Sequence, residues 1–376
     1  MRLSSRVADL QPSPIREILS VISRPGMISF AGGLPAPETF AELASDIPRE
    51  VLQYGASEGE PELRARIAKE LNSLGVQCDM EQILILSGSQ QGIDLVAKLF
   101  IDRDTAVAAE SPAYLAALQV FRFFGARMAP FDVNALHAQM FKQEPPALVY
   151  AIPTFQNPTG HCYSTDQRRL LAMACNDAQV PLFEDDPYRD LFYEPCDRRP
   201  VCAQLTRSSW IYQSSFSKSF APGIRLGFLA ASKDLITPLI RLKQAADLHS
   251  NRVSQWWALK FLERSDRDAY LQQLAATYKH KRDVFNQSLK TYFNDLASWQ
   301  TPLGGLFFWL KLNRQIDTRQ LLPLAIEQGV AFMPGEPFYP IATEASGTLR
   351  LNFSHASAEQ AATGLKVLSQ LIRSKM

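Results

Sequence analysis

The chain has 376 residues, 46% hydrophobic and 20% charged, a balance that belongs to folded globular proteins and excludes a disordered one. Lysine and arginine number 39 against 38 aspartates and glutamates; the net charge of +1 gives no general attraction for nucleic acid or membrane and favours a small-molecule partner. At roughly 100 to 200 residues per domain the length predicts two domains.

Taken in chain order, the opening MRLSSRVADLQPSPIREIL lacks an apolar stretch long enough for a signal peptide. No later segment reaches the roughly 18 uninterrupted apolar residues of a membrane span. Cys78, Cys162, Cys175, Cys196 and Cys202 are odd in number and form no CxxC pair, against a disulfide framework or a zinc site. The histidines make no HxxxH pair, so no metal is expected, and the cytoplasm is the expected compartment. Ser13-Pro14 reads as an N-cap with proline at the first helical position, opening a helix that carries Arg16.

From residue 83 apolar runs alternate with amphipathic stretches. Strands are predicted at 83–87, 106–110, 147–153, 181–186, 210–215 and 227–232, with helices near 89–101, 112–124 and 165–178. That order predicts a mostly parallel sheet in an α/β fold. Ser164 with Gln167, and Ser357 with Gln360, have capping-box spacing and start two helices. Residues 232–290 read as mainly helical, and Lys279-His280-Lys281-Arg282 as a solvated helix face there. FFWLKL (307–312), TLRLNF (348–353) and a last helix over 358–374 suggest a second, smaller domain. The expected division is 1–50 as N-terminal arm and part of the small domain, 51–285 as the large domain, and 286–376 as the C-terminal small domain.

Candidate functional loops follow the ends of predicted strands, where open α/β sheets hold ligands. Ser87-Gly88-Ser89-Gln90-Gln91 turns into a helix whose first amides can cradle a phosphate, although many such turns bind nothing. Tyr114 offers a ring for stacking, or is a core tyrosine. PTFQNPTG (153–160) places Asn157 as a donor to a ring oxygen, or is only a turn. In FEDDPY (183–188) an acid directly after an apolar strand calls for a cationic partner such as a protonated ring nitrogen. Asp185 fits that pairing, with Tyr188 donating to the same ring oxygen as Asn157; the competing reading is an acidic loop start with a structural tyrosine. In SSFSKSFAPGIRLG (214–227) a lysine lies among hydroxyls and small residues, with Arg225 following. Lys218 so placed can form an imine with an aldehyde cofactor, or is a surface lysine at a turn. No single structural reading predicts all five features together.

With these motifs the chain resembles the fold type I, pyridoxal 5′-phosphate-dependent class I/II aminotransferases, from about Pro14 to about Phe353. Through ISFAGGLPAPETF, LQYGASEGEPELR, SGSQQGIDLV, PTFQNPTG, FEDDPY, SFSKSFAPGIRLG and QAADLHS it is most similar to the branch of 2-aminoadipate and kynurenine aminotransferases. The resemblance implies that Lys218 carries the cofactor imine and moves the proton, and that Asp185 pairs with the pyridine nitrogen. It implies Asn157 and Tyr188 at the ring hydroxyl and Tyr114 stacked on the ring. Ser89, Gln90, Ser215 and Arg225 would hold the phosphate, with Tyr54 reaching from a second subunit of a homodimer. Arg350 would fork the substrate α-carboxylate, supported by Asn157 and the Gly33 backbone, and Arg16 matches a position that can meet a side-chain carboxylate. The implied reaction is ping-pong transfer of an amino group from 2-aminoadipate, an aromatic or a branched-chain amino acid to a 2-oxo acid, commonly 2-oxoglutarate.

Two departures from the branch are Ser214, where glycine is usual, and Glu60-Pro61-Glu62 after SEG, where an aromatic or apolar residue is usual. A cofactor-binding sensor of the kind fused behind a winged helix, and a lyase or decarboxylase on the same fold, are the rival readings. The chain begins almost directly with the aminotransferase-like region, against the sensor. A nicotinamide dehydrogenase is disfavoured because SGSQQG is not GxGxxG.

Overall fold

Each apolar run from residue 83 onward becomes a strand and each amphipathic stretch a covering helix. The computed structural model describes residues 4, 7, 26–341 and 346–375, so Arg16 and the helix expected at Ser13-Pro14 lie outside the described residues. Strand β1 (Ile28–Ser29) is followed by helix α1 (Pro61–Ser73), which starts with proline at its first position. Next come β2 (Ile83–Leu86), α2 (Ser89–Phe100), β3 (Ala106–Glu110), α3 (Leu115–Phe123), β4 (Arg127–Phe131) and β5 (Leu148–Ala151). Helix α4 (Thr165–Ala178) begins at the predicted capping box and leads to β6 (Leu182–Asp185), β7 (Trp210–Ser215) and β8 (Gly227–Ala231). Three helices follow, α5 (Lys233–Asp247), α6 (Arg252–Glu263) and α7 (Arg267–Phe293). The chain ends through β9 (Ala297–Ser298), β10 (Phe307–Leu312), α8 (Thr318–Glu327), β11 (Val330–Ala331), β12 (Met333–Pro334), β13 (Thr348–Asn352) and α9 (Ala358–Lys375).

Seven strands form the central sheet in the order β2-β8-β7-β6-β5-β3-β4. The pairs from β7 to β4 are parallel, and β8 is antiparallel to both β7 and β2, so β8 alone runs against the other six. Alternate residues of each strand fall into two cores. Leu84, Val107, Tyr150, Phe183 and Ile211 pack under α2, α3 and α5, whereas Ile85, Ala108, Val149, Leu182 and Tyr212 pack under α1, α4 and α6. A sheet with helices on both faces buries both sides of every strand, which is why these strands read as unbroken apolar runs.

A second, antiparallel sheet, β12-β13-β10-β9, lies under α7 and α9, with Phe285, Leu289, Leu365 and Leu368 packed on Phe308, Leu310, Leu349 and Leu351. Strand β1 pairs with β11, and the following Phe30 accepts from Asn352 N at 2.8 Å, which carries residues 31–33 past β13. The 27-residue α7 runs through position 285, where the sequence suggests a boundary.

Two expectations are corrected. The sequence reading has no strand at 127–131, yet β4 closes the sheet edge there. The run at 279–282 is not wholly a solvated face: Arg282 is buried, with Nη1 donating to Pro302 O at 2.9 Å and Nη2 to Glu194 Oε1 at 2.9 Å.

Candidate active site

Strands β2, β3, β5, β6 and β7 point the same way, so the loops after them meet at one edge of the sheet. Strand β8 is reversed, so Arg225, in the turn before it, arrives at that edge as well.

After β2, Gly88 is the N-cap of α2 with φ 84° and ψ 156°, and no side chain caps this end. The backbone at 88, with φ 84°, favours glycine, and a Cβ there would press on the tip of the Arg225 side chain, 2.6 Å from Nη2. The guanidinium of exposed Arg225 lies beside Gly88, at the end of α2 that begins with Ser89 and Gln90. Ser87 Oγ and Gln91 Nε2 both donate to Asp247 Oδ2, at 2.8 and 2.7 Å, which ties the turn to α5. Buried Ser215 Oγ accepts from Ser217 N at 3.1 Å.

Lys218 follows β7. Its partly buried Nζ donates to Gly33 O at 2.9 Å, and burial, then Arg350 and Arg225, bring its pKa down to about 8. An appreciable share of neutral, nucleophilic amine is therefore present near neutral pH.

Asp185 ends β6, buried, with no cation on it among the described residues. Tyr150 Oη donates to Oδ2 at 3.0 Å and Gln213 Nε2 to Oδ1 at 3.1 Å. Burial pushes its pKa up to about 6, against the pull of those two donors.

Arg350 stands mid-strand in β13, 2% exposed, giving Nη1 to Asn157 Oδ1 at 2.8 Å and Nη2 to Ala31 O at 2.6 Å. Its Nε has no hydrogen-bond partner among the described residues, and its guanidinium lies 4.2 Å from the Phe307 ring centre and 5.1 Å from that of Phe338. Burial lowers its pKa to about 10, which leaves it charged at neutral pH. Asn157 Nδ2 reaches Tyr188 Oη at 3.4 Å. Tyr114 is half-buried where it feels Asp185, Arg350 and Arg225, with burial the largest cause of its pKa near 12. The sequence-predicted Lys218, Asp185, Asn157, Tyr188, Tyr114, Arg350, Gly33 and Arg225 are thus neighbours, linked by hydrogen bonds or close enough to feel one another's charge. Tyr54 is not: it is 77% exposed, against His249 at 5.7 Å between ring centres. The unusual Glu60 braces that segment, because its carboxylate holds Arg252, whose Nη1 donates to Gln53 O and Tyr54 O.

Sequence reasoning misses the groups that hold the Asn157 loop. Buried Glu110, its pKa raised to about 7 by burial, accepts from Ile152 N at 3.0 Å, Gln156 Nε2 at 3.3 Å and Tyr163 Oη at 2.7 Å. Buried Arg168 donates to Pro153 O, Thr154 Oγ1 and Tyr163 O, at 2.8, 3.0 and 3.2 Å. Its place three residues before Leu171 and seven before Cys175, on the core stripe of α4, is the signal that could have found it.

The family model of aminotransferase class I and II matches residues 28–368. Aromatic-amino-acid aminotransferase 1 of Thermococcus litoralis is 34% identical, covering 99% of this chain and 94% of its own length. A 2-aminoadipate transaminase of Thermus thermophilus is 35% identical, covering 97% of this chain and 94% of its own length. A crystal structure of LysN, the alpha-aminoadipate aminotransferase of Thermus thermophilus, complexed with N-(5′-phosphopyridoxyl)-L-leucine, superposes with a TM-score of 0.90 at 32% identity, covering 99% of this chain and 97% of that one. With matches of that extent, the chain belongs to the class I and II aminotransferases, pyridoxal phosphate-dependent enzymes of fold type I.

Proposed function

We propose that this enzyme moves the amino group of 2-aminoadipate, or of an aromatic or branched-chain amino acid, to 2-oxoglutarate in two half-reactions at one site, with Lys218 and Arg350 as its principal groups. The observation that carries the reading is the proximity of Lys218, Asp185 and buried Arg350, with Arg350 acting on the Lys218 amine and both Asp185 and Arg350 acting on Tyr114 and Tyr188.

The residues present fit pyridoxal phosphate. Among the described residues Asp185 has neutral donors and no cation, the first turn of α2 is uncapped beside Arg225, and Arg350 Nε is an orphaned donor. Lys218 Nζ would hold the aldehyde carbon, Asp185 the ring nitrogen, Asn157 and Tyr188 the ring hydroxyl, and Tyr114 a ring face. Ser89, Gln90, Ser215 and Arg225 would hold the phosphate. When bound, the group supplies an electrophilic carbon and a ring that accepts the electron pair left as the substrate Cα loses its proton. Lys218 Nζ would take that Cα proton and deliver it to the carbon on the far side of the nitrogen, two atoms along. Arg350 pairs with the substrate α-carboxylate, where a desolvated guanidinium between two aromatic rings binds an anion far better than one in water. Phe307 and Phe338, whose rings lie against the guanidinium, would shield that pair from water.

For the amino donor, the similarity to an aromatic-amino-acid aminotransferase and a 2-aminoadipate transaminase supports those substrates, and Phe338 beside Arg350 supports an apolar side chain. The exposure of Tyr54 supports its use on the phosphate of a second copy in a homodimer. The cytoplasm is our proposed compartment, supported by five free cysteines; among the described residues no helix is long and apolar enough to cross a membrane.

The test is an absorbance spectrum of the purified protein, then titration with 2-aminoadipate, kynurenine, phenylalanine, leucine and glutamate without any 2-oxo acid. We expect one of them to bleach the visible band of the bound cofactor and 2-oxoglutarate to restore it. A band that no donor discharges would favour the sensor or lyase reading. Lys218→Ala should abolish turnover, and Arg350→Ala should raise KM for amino acids roughly 100-fold, for a lost buried ion pair of about 3 kcal/mol. Unaltered kinetics in either variant removes that residue from the site.

A further inference from the structure

Strands β5, β6 and β7 are neighbours, and their register opposes Tyr150 to Phe183 and Gln213 to Asp185. Paired residues share a sheet face, so Tyr150, Asp185 and Gln213 all stand on the face covered by α2 and α3. Gln213 has no exposure, and its Oε1 has no hydrogen-bond partner among the described residues. A bare buried acceptor costs about 1–3 kcal/mol. The surroundings are fitted to this carboxamide: Gly92 of α2 packs against it, and a Cβ there would overlap Oε1. An apolar side chain at 213 would avoid that cost, so the gain has to lie at the other end of the amide, where Nε2 meets Asp185 Oδ1 at 3.1 Å.

We propose that Gln213 is a positioning residue for the ring nitrogen of the cofactor: with Tyr150 it fixes the Asp185 carboxylate by one donor on each oxygen, keeping the remaining lone pairs for the ring N–H. This rests on the reading of Asp185 under the proposed function. Tyr150 also packs on Phe121 and Phe183, with ring centres at 5.5 and 5.3 Å, so it has a second reason to be there. Gln213 lies in the same apolar layer with a polar end that only Asp185 uses. Donors to the ionised carboxylate also offset part of its desolvation, so their loss favours the neutral acid, which pairs poorly with a cation.

The experiment is equilibrium dialysis of the apoprotein with pyridoxal phosphate and with its 1-deaza analogue, in which CH replaces the ring nitrogen. Both carry the same aldehyde and phosphate, so the ratio of their affinities isolates the contact to Asp185. In Gln213→Met we expect that ratio to fall about 10-fold, the loss of one hydrogen bond to a charged group. Affinity for the deaza analogue should stay within about twofold of the parent, because nothing else in the site depends on the amide. A purely structural Gln213 would weaken both ligands alike, and an unaltered ratio overturns the proposal. A parent protein with no preference for the ring nitrogen overturns the Asp185 reading itself, an outcome distinct from failure at Gln213. Should Gln213→Met fail to fold, Gln213→Asn, one methylene too short to reach Asp185, is read by the same ratio.

Discussion

Asp185 and Asp186 are consecutive, both buried, and face opposite sides of the sheet. Asp186 Oδ2 accepts from Arg189 Nε at 2.7 Å and Tyr212 Oη at 2.9 Å, so the chain supplies its counter-charge. Among the described residues Asp185 receives only the neutral Tyr150 and Gln213. A buried carboxylate costs several kcal/mol unless a cation completes it. At Asp186 that completion belongs to the fold; at Asp185 the described residues leave it open, as the proposed pairing with a ring nitrogen requires. Two adjacent letters of one sequence thus have different tasks, decided by which face of the sheet each reaches.

The largest expected effect breaks the comparison if it is misdrawn. Asp185→Asn should lower turnover roughly 10²–10⁴-fold, the equivalent of about 3–5 kcal/mol for one partner of a buried ion pair, in a protein that folds normally. Asp186→Asn should do the opposite. It leaves Arg189 without its carboxylate and should cost about 3–5 kcal/mol of stability in a urea titration, with activity per folded molecule of the parent's order. Exchange of these two outcomes would place the functional charge on the wrong side of β6.

The pH dependence of the apoprotein sharpens the same contrast. Burial raises the Asp185 pKa from 3.8 to about 6, so the folded state holds this proton more tightly than the unfolded chain. Its contribution is most favourable below pH 3.8, is lost as pH rises to about 6, and is constant above that. Asp185→Asn removes the charge. The variant apoprotein should therefore be more stable than the parent at pH 8, by up to about 3 kcal/mol for a shift of this size, with little difference at pH 4. A gain equal at both pH values would mean that Asp185 is not buried as an unpaired charge.

Much of this contrast is legible in the order of the amino acids, and the rest is not, for physical reasons. Strands buried on both faces announce themselves as ILIL, LVYA and WIYQSS, and the polar loops after them locate the site. Strand β4, RMAPF, is an edge strand with Pro130 and an exposed Arg127, so it has no apolar run to detect. Gln213 and Tyr150 look like ordinary strand residues because their meeting with Asp185 depends on strand order, which no local pattern encodes. Arg282 is within reach of the sequence: it lies four residues after Tyr278 and three before Phe285 on the buried stripe of α7, a helical spacing that outweighs its basic neighbours.

Gly92→Ala tests how tightly the Asp185 side is packed. In an open helix this change gains about 1 kcal/mol. Here the new methyl overlaps the Gln213 carboxamide and approaches Leu86 Cδ1 at 2.8 Å, so a net loss of about 1–3 kcal/mol is expected on urea denaturation. Stabilisation instead would show that Gln213 has room to move and does not hold Asp185.

The smallest effect separates the two acids once more. Ser214, where the branch usually has glycine, follows Gln213 but belongs to the other side: its Oγ donates to Asp186 O at 2.8 Å. Ser214→Ala removes one half-buried hydrogen bond and should cost about 0.5–1.5 kcal/mol of stability. Its effect on the ratio of affinities for pyridoxal phosphate and the 1-deaza analogue should be nil, since Gln213 and Ser214 point to opposite faces of β7. A ratio that falls with Ser214→Ala as it does with Gln213→Met would mean that the two faces are coupled through the strand backbone, and the separation between a structural and a functional acid would no longer hold.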